Sequence, residues 1–378
     1  MRVLFFANTD WYLYNFRLPL AFNLRDRGCV VDFVCPAGEY SARIRDAGFT
    51  VHDFCFDRRS VNPLSGLLTV VRFSSLCRRL KPDVVHSFTV KCVLIGSMGS
   101  RLAGVPARVN AIAGLGYIFS SSSGFARVVK AVVRKALSVS LSLRRSLTIF
   151  QNPDDVAALT GVIPDDRVRL IKGSGVNMSR FKPTSRRICR AGKVRCLFAA
   201  RLLREKGIED YIGAARILAK AQPGRFEFLV AGEIDTGNPG SVSADEVAAW
   251  ADEGLATFLG HVDDMDAVLS TVDVFVLPSY YGEGVPRSLI EAAASSVGLV
   301  ATDSQGCREV VFDGETGCRV PIRSPEAIAA ALIRLADDPD SAEKMAANAR
   351  DLALTEFDEK VVFERTEAVY RELCSPAR

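Results

Sequence analysis

The feature that most constrains this chain is an alternation. Short runs of apolar and β-branched residues take turns with longer segments of helical period, stop once, and begin again. In the first half the short runs are "RVLFFA", "CVVDFVC", "DVVHSF", "ARVNAI", "LTIFQ" and "RVRLI", with segments such as "FRLPLAFNLRDRG" and "LLTVVRFSSLCRRL" between them. A parallel connection needs a crossover long enough to hold a helix, so this pattern reads as βαβ units around a buried parallel sheet. It stops at "KGSGVNMSRFKPTSRRICRAGK" (172–193), which is rich in Gly, Ser, Pro and Arg and has no apolar period. It restarts with "VRCLFAARLL", "RFEFLVAGE", "LATFLG", "DVFVLPS" and "GLVATD". With 378 residues, 48% of them hydrophobic, the chain can fill two cores. The expectation is an α/β protein with Rossmann-like domains over 1–180 and 181–356, and a terminal helix over 357–378 that packs back on the first domain.

Composition removes several classes. The ten cysteines form no CxxC and the three histidines (His52, His86, His261) form no HExxH, so neither a disulfide scaffold nor a zinc site is expected. "MRVLFFANTD" reads as a first buried strand and not as a signal peptide. No window has the roughly 20 uninterrupted apolar residues of a spanning helix, so a cytoplasmic protein with at most peripheral membrane contact is expected. "GSGVNM" and "GLGYIF" lack the third glycine of GxGxxG, which counts against a dinucleotide dehydrogenase.

The formal charge is only +4, yet residues 1–173 carry 24 Lys+Arg against 12 Asp+Glu. A polyanion or an anionic membrane is the partner this suggests, and a solvated basic surface is the plain alternative. No acidic residue lies between Asp83 and Asp154. Within 125–145, "FARVVKAVVRKALSVSLSL" sets Arg127, Lys130 and Arg134 on one side of a helix and Val128, Val132 and Leu137 elsewhere. An interfacial helix has that pattern, as does a helix lying on its own core with a solvated face. We expect the membrane and not nucleic acid.

Ligands of parallel sheets bind beyond the carboxyl ends of the strands. In "EGVPRSLIE" (283–291), Pro286 suits the first helical position and Gly284, just ahead of it, admits close approach of a ligand. The backbone N–H groups within 285–288, Val285 and Arg287 among them and Pro286 with none to offer, are left without intrahelical partners and suit a phosphate. Glu283 falls on the preceding loop and Glu291 in the second turn, where a carboxylate can accept from two vicinal hydroxyls. The alternative is that acidic residues near a helix start are favoured by its dipole. In "FAARLLREKG", Arg201 ends a strand and Lys206 opens the next helix; the pair can clamp a diphosphate or simply form a basic loop. Trp11 and Tyr14, with their aromatic neighbours in "NTDWYLYNF", offer a platform for a sugar or lipid, or pack within the fold.

"ARLLREKG" and "EGVPRSLIE", taken with "NTDWYLYNFRLPLA", "DVVHSF", "GLGYIF", "FQNPDD", "GSGVN" and "SQGCREVVFDGETG", resemble the retaining glycosyltransferases of family four. Within that family the chain resembles the subgroup that builds bacterial capsule, O-antigen and exopolysaccharide units. The resemblance implies a GT-B fold, two Rossmann-like domains facing a central cleft, with the acceptor on the first and the donor on the second. It also implies a nucleotide-sugar donor, UDP-linked by default, a lipid-linked saccharide acceptor, no metal and no cofactor. Arg201 and Lys206 would hold the diphosphate, Glu291 the ribose, Glu283 the transferred sugar, and His86 would face that sugar; a histidine bonded within the fold is the other reading of His86. Read from their place after a strand, Gly116 and Tyr117 of "GLGY" join Trp11 and Tyr14 on the acceptor side, and the alternative is that the glycines serve only a turn. A nucleotide-sugar epimerase of the same architecture and a non-catalytic sugar-binding scaffold stay open, and only an epimerase would make a new nucleotide sugar from donor alone.

Overall fold

A computed structural model describes residues 1–57, 62–114, 124–183, 188–189, 192–280, 282 and 284–374, with side chains throughout except at 63 and 124–130. The chain forms two compact units. The first is Met1–Ser174 with Glu359–Arg378, and the second is Gly175–Asp358.

The first unit is built on seven parallel strands: β1 (Arg2–Phe6), β2 (Val30–Cys35), β3 (Thr50–Asp53), β4 (Val84–Phe88), β5 (Ala107–Ile112), β6 (Ser146–Phe150) and β7 (Val168–Leu170). Their order is β3-β2-β1-β4-β5-β6-β7, so the chain steps outward from β1, then returns to its other side with β4. The switch point lies between those two strands.

Helices α1 (Asp10–Asp26), α2 (Glu39–Asp46), α3 (Pro63–Leu80), α4 (Val90–Leu102), α5 (Gly124–Leu141) and α6 (Pro153–Ala158) come from the first segment, and the chain's last helix, α13 (Glu359–Cys374), completes the unit. On α1 and α13, Leu13, Leu20, Val362 and Tyr370 pack with Phe5, Phe33 and Phe88 of the strands. A separate cluster joins Phe73, Leu76 and Cys77 of α3 to Leu4, Phe6 and Val85, and a third joins Leu137 and Leu141 of α5 to Ile112 and Phe150. Local chemistry sets the helix ends. Thr9 caps α1 by accepting from the N–H of Tyr12 at 3.3 Å, and Asn62 caps α3 by accepting from Leu64 at 2.9 Å. "NTDWYLYNF" is therefore helical from Asp10 onward.

The second unit has six parallel strands: β8 (Val194–Ala199), β9 (Phe226–Ala231), β10 (Thr257–Gly260), β11 (Val274–Leu277), β12 (Gly298–Thr302) and β13 (Cys318–Val320). Their order, β10-β9-β8-β11-β12-β13, puts the switch point between β8 and β11. Helices α7 (Ile208–Ala221), α8 (Ala244–Asp252), α9 (Met265–Leu269), α10 (Arg287–Ala294), α11 (Pro325–Asp337) and α12 (Pro339–Leu352) connect them. Leu197, Phe198, Val276, Leu289, Ile290 and Val300 are fully buried in one core.

Candidate active site

Both cation-bearing and carboxylate-bearing motifs of the second unit leave strands that flank its switch point, where an open parallel sheet has a natural crevice. The loop after β8 carries Arg201, a short 3-10 turn over Arg204–Lys206, and Gly207 at φ 79°. That loop is pinned to the one after β11: the N–H of Tyr280 donates to the carbonyl of Glu205 at 3.0 Å. Lys206 is buried in this junction, at 9% exposure. Arg201 is half-exposed, and its Nη1 donates to Oδ2 of Asp235 at 2.7 Å. Asp235 follows β9, and Gly232 brings that loop close, since a Cβ there would lie 1.9 Å from the carbonyl oxygen of Ala200.

Gly284, Val285 and Pro286 are all buried ahead of α10. Pro286, expected as the first helical residue, instead caps the helix at φ −63°, ψ 121°, and its carbonyl accepts from Ile290 at 3.2 Å. The extended ψ is the reason for this correction, and the helical turn begins at Arg287. Arg287 donates from Nε to Oε1 of Glu291 at 2.9 Å. The Glu291 side chain is 13% exposed, and burial raises its pKa above the usual carboxylate range; Arg287, then Arg180, act in the other direction. Arg180 itself is held by Oδ1 of Asp266 at 2.7 Å and the carbonyl of Asp263 at 2.9 Å. Glu283 lies outside the described residues.

In the first unit, Trp11 stands 43% exposed in the first turn of α1, edge-on to Phe16 at 5.4 Å. Tyr14 is half-buried against Tyr40, with ring centroids 5.4 Å apart. Both follow β1, beside the unit's switch point. Gly116 and Tyr117 lie outside the described residues.

His86 is 1% exposed in β4. Its Nδ1 is 2.6 Å from the hydroxyl of Tyr370 on α13, and its ring lies 4.1 Å from that of Phe88. Burial, and then the Arg17 guanidinium, push its pKa well below the ordinary imidazole value, so the ring is neutral. It lines a small pocket with Arg17, Gln151, Gly173 and Thr366. The Nδ1 contact accords with a histidine bonded within the fold, and Nε2, buried and without a hydrogen-bond partner among the described residues, keeps the sugar-facing reading open.

The 125–145 region also needs revision. Leu137 and Leu141 of α5 are fully buried in their own unit's core, so Leu137 does not face a bilayer, and Arg134 donates to the carbonyl of Ala158. Val132 and Val139 do stand exposed, at 64% and 50%. The side chains of Arg127 and Lys130 lie outside those described. Among the described residues, no helix is long and apolar enough to cross a membrane, and no three His, Cys, Asp or Glu side chains gather as a metal site.

Sequence reasoning missed Arg180, Asp235 and Asp266. Asp235 had a signal, since "VAGEID" places acidic residues directly after a strand. Arg180 had none, because its charge reaches Glu291 from a stretch with no periodicity.

Two family models match in tandem: "Glycosyl transferase 4-like" over residues 2–151 and "Glycosyl transferases group 1" over residues 193–338. The chain is 26% identical to N,N'-diacetylbacillosaminyl-diphospho-undecaprenol alpha-1,3-N-acetylgalactosaminyltransferase of Campylobacter jejuni, over 98% of each chain. It is 25% identical to the putative glycosyltransferase EpsD of Bacillus subtilis, over 98% of this chain and 96% of that one. In fold it is similar to HepE of Anabaena, solved in complex with UDP, with a TM-score of 0.81 and 18% identity over 98% of this chain and all of the other. The chain belongs to the family-four glycosyltransferases of GT-B fold, in the subgroup of bacterial capsule and O-antigen enzymes.

Proposed function

We propose that this protein moves a hexose or N-acetylhexosamine from a nucleotide sugar, UDP-linked by preference, to a lipid-linked saccharide during assembly of a surface polysaccharide or glycoconjugate. The observation that carries the reading is the arrangement at the switch point of the second unit, where two cations follow β8 and a buried carboxylate stands on α10, the helix after β11. Arg201 and Lys206 hold the diphosphate, with the start of α10 at Pro286 and Arg287 as a further anion-binding element. Glu291 accepts from the ribose hydroxyls, Gly284 and Val285 admit the donor closely, and Glu283 meets the transferred sugar. Trp11, Tyr14, Gly116 and Tyr117 contact the acceptor. The C. jejuni relative supports a lipid-linked acceptor, because its name carries diphospho-undecaprenol, and the UDP complex of HepE supports the donor class.

In the reaction the bond from the anomeric carbon to the leaving phosphate oxygen breaks and a bond to the acceptor hydroxyl oxygen forms on the same face. The hydroxyl proton passes to the departing phosphate, and the cations stabilise the charge that develops there. The anomeric configuration is retained, without a metal or cofactor. A lipid-linked acceptor also places the enzyme at the inner face of the plasma membrane, with the basic 125–145 region towards anionic lipid.

The test is a panel of nucleotide sugars assayed with and without lipid-linked acceptor. Nucleoside diphosphate release that needs the acceptor is the expected result. A new nucleotide sugar from donor alone, or no turnover with any pair, overturns the proposal.

A further inference from the structure

The exposed apolar side chains of this protein are unevenly placed. On α3, Leu64, Leu67, Leu68 and Val71 are 76%, 61%, 62% and 53% exposed. Their spacing of three and four residues puts them in one stripe along the first half of the helix. The opposite face, with Val70, Phe73, Leu76 and Cys77, is buried on the sheet, so the helix is fully anchored without the stripe. Burial of the inner face accounts for the fold; it does not account for four large aliphatic side chains in water, which a monomeric surface seldom groups together.

The stripe sits in an unusual electrostatic setting. From residue 58 to residue 153 the sequence has 15 Lys and Arg and one acidic residue, Asp83. Asp83 is tied at the start of β4, where its Oδ2 accepts from the N–H of Arg2 at 2.6 Å. Helices α3, α4 and α5, which pack in sequence against one another, contain no acidic residue. Arg72, Arg78 and Arg79 follow the stripe along the exposed side of α3. Apolar insertion at one end of a helix and cations at the other is the arrangement that suits the boundary between acyl chains and anionic headgroups.

We infer that α3 is the membrane-inserting element of this enzyme, its Leu64–Val71 stripe entering the headgroup boundary of an anionic bilayer while the basic residues of α3, α4 and α5 lie on the lipid phosphates. Charge complementarity selects the bilayer over a second copy of the chain. A two-fold self-contact would set this acid-poor face against itself, cation to cation. The inference deepens the proposed function, which supplies the reason for a bilayer to be close, and it moves the apolar contact from α5, whose inner leucines are buried, to α3. No chemical step depends on it.

The experiment uses the full chain without donor or acceptor, so failure of glycosyl transfer cannot mimic failure of docking. Vesicles of phosphatidylcholine alone, and with about 40 mol% phosphatidylglycerol, are floated with wild type and with a Leu64→Gln, Leu67→Gln, Leu68→Gln, Val71→Gln variant. All four sites are exposed, so the variant keeps the buried face of α3. Wild type should float with the anionic vesicles only, and the variant should bind on the order of tenfold more weakly. Raised salt should weaken wild type further, since surface charges are screened over about 8 Å at physiological ionic strength. In a separate Leu67→Trp protein, the emission should shift to the blue on anionic vesicles as the ring enters the headgroup boundary. Vesicle binding unchanged by the four substitutions overturns the inference, as does an unshifted tryptophan. So does a salt-resistant dimer in sedimentation equilibrium that the same substitutions abolish, because the stripe would then serve self-association.

Discussion

Gly207 lies so close to Pro278 that a Cβ on the glycine would stand 2.2 Å from the proline's carbonyl oxygen. The two loops that bear the proposed diphosphate and ribose contacts are held together by this absence of a side chain. At φ 79° the backbone also favours glycine. Gly207→Ala should therefore cost about 1–2 kcal/mol from the left-handed backbone alone, with the clash added. Urea denaturation should show an earlier midpoint, and donor turnover should fall with it; an unchanged midpoint would contradict the close approach.

Glu291 supplies a pH prediction. Its pKa is raised in the folded protein, so the native state keeps this proton to higher pH than the unfolded chain does. Its contribution to stability is then fullest below the unfolded value and is lost as pH rises through the raised one. Ligand binding runs the opposite way, because ribose hydroxyls need the ionised carboxylate as acceptor. Affinity for nucleoside diphosphate, measured by calorimetry, should climb with pH through a window above the ordinary carboxylate range. Glu291→Gln should flatten that climb and remove about 1.5–3 kcal/mol of binding at neutral pH. A wild-type profile as flat as the mutant's would remove Glu291 from the ribose.

Arg201→Ala and Lys206→Ala should lower kcat more than they weaken binding of the nucleoside alone, since both cations are assigned to the diphosphate. Asp235→Asn is the companion test. It releases Arg201 from an ion pair whose arginine is half-exposed, and such pairs contribute little to stability. The thermal midpoint should stay and the donor KM should change; a lowered midpoint with unchanged KM would make the pair structural.

Glu283→Gln should depress turnover while leaving nucleoside diphosphate affinity near the wild-type value, because its proposed partner is the sugar. Equal losses in both would place Glu283 on the nucleotide.

Tyr370→Phe should leave the buried Nδ1 of His86 without its hydrogen-bond partner, at a cost of about 1–3 kcal/mol. Denaturation should detect this with the donor KM unchanged. A selective loss of kcat in a protein of full stability would instead assign His86 to the reacting sugar.

The strands that could be read from sequence are those with an apolar run, which include the central ones and also the edge strands β7 ("RVRLI") and β10 ("LATFLG"). "RVLFFA", "DVVHSF", "VRCLFA" and "DVFVLPS" each contain a central strand whose apolar run has no other use. The edge strands β3 ("TVHD") and β13 ("CRV") went unseen, because a short strand with polar residues carries no apolar run. At the site, the legible part was the part fixed by backbone chemistry: glycine, proline and charge directly after a strand. Arg180 was not legible, since its relevance comes from a contact made across the fold, and Asp235 was marked only by its place directly after a strand. For α5 amphipathicity was legible but not which side faced inward, and Leu137 shows that the protein's own core took the apolar face. The exposed leucines of α3 escaped notice for the same reason in reverse: "LLTVVRF" has apolar residues enough for both sides, and only packing shows which four are left over.

The first unit is made from both ends of the chain, and α13 brings Val362, Phe363, Val369 and Tyr370 to a core begun by Leu13 and Leu20. On the ribosome, that core waits. At about 5–20 residues per second, translation of Gly175–Asp358 occupies on the order of 10–40 s during which the α1 side of the first sheet has no α13 to cover it. The second unit, being continuous in sequence, has all its residues first. The order of completion is therefore the reverse of the order of synthesis, and the α1 side of the first sheet stays uncovered until α13 has been made.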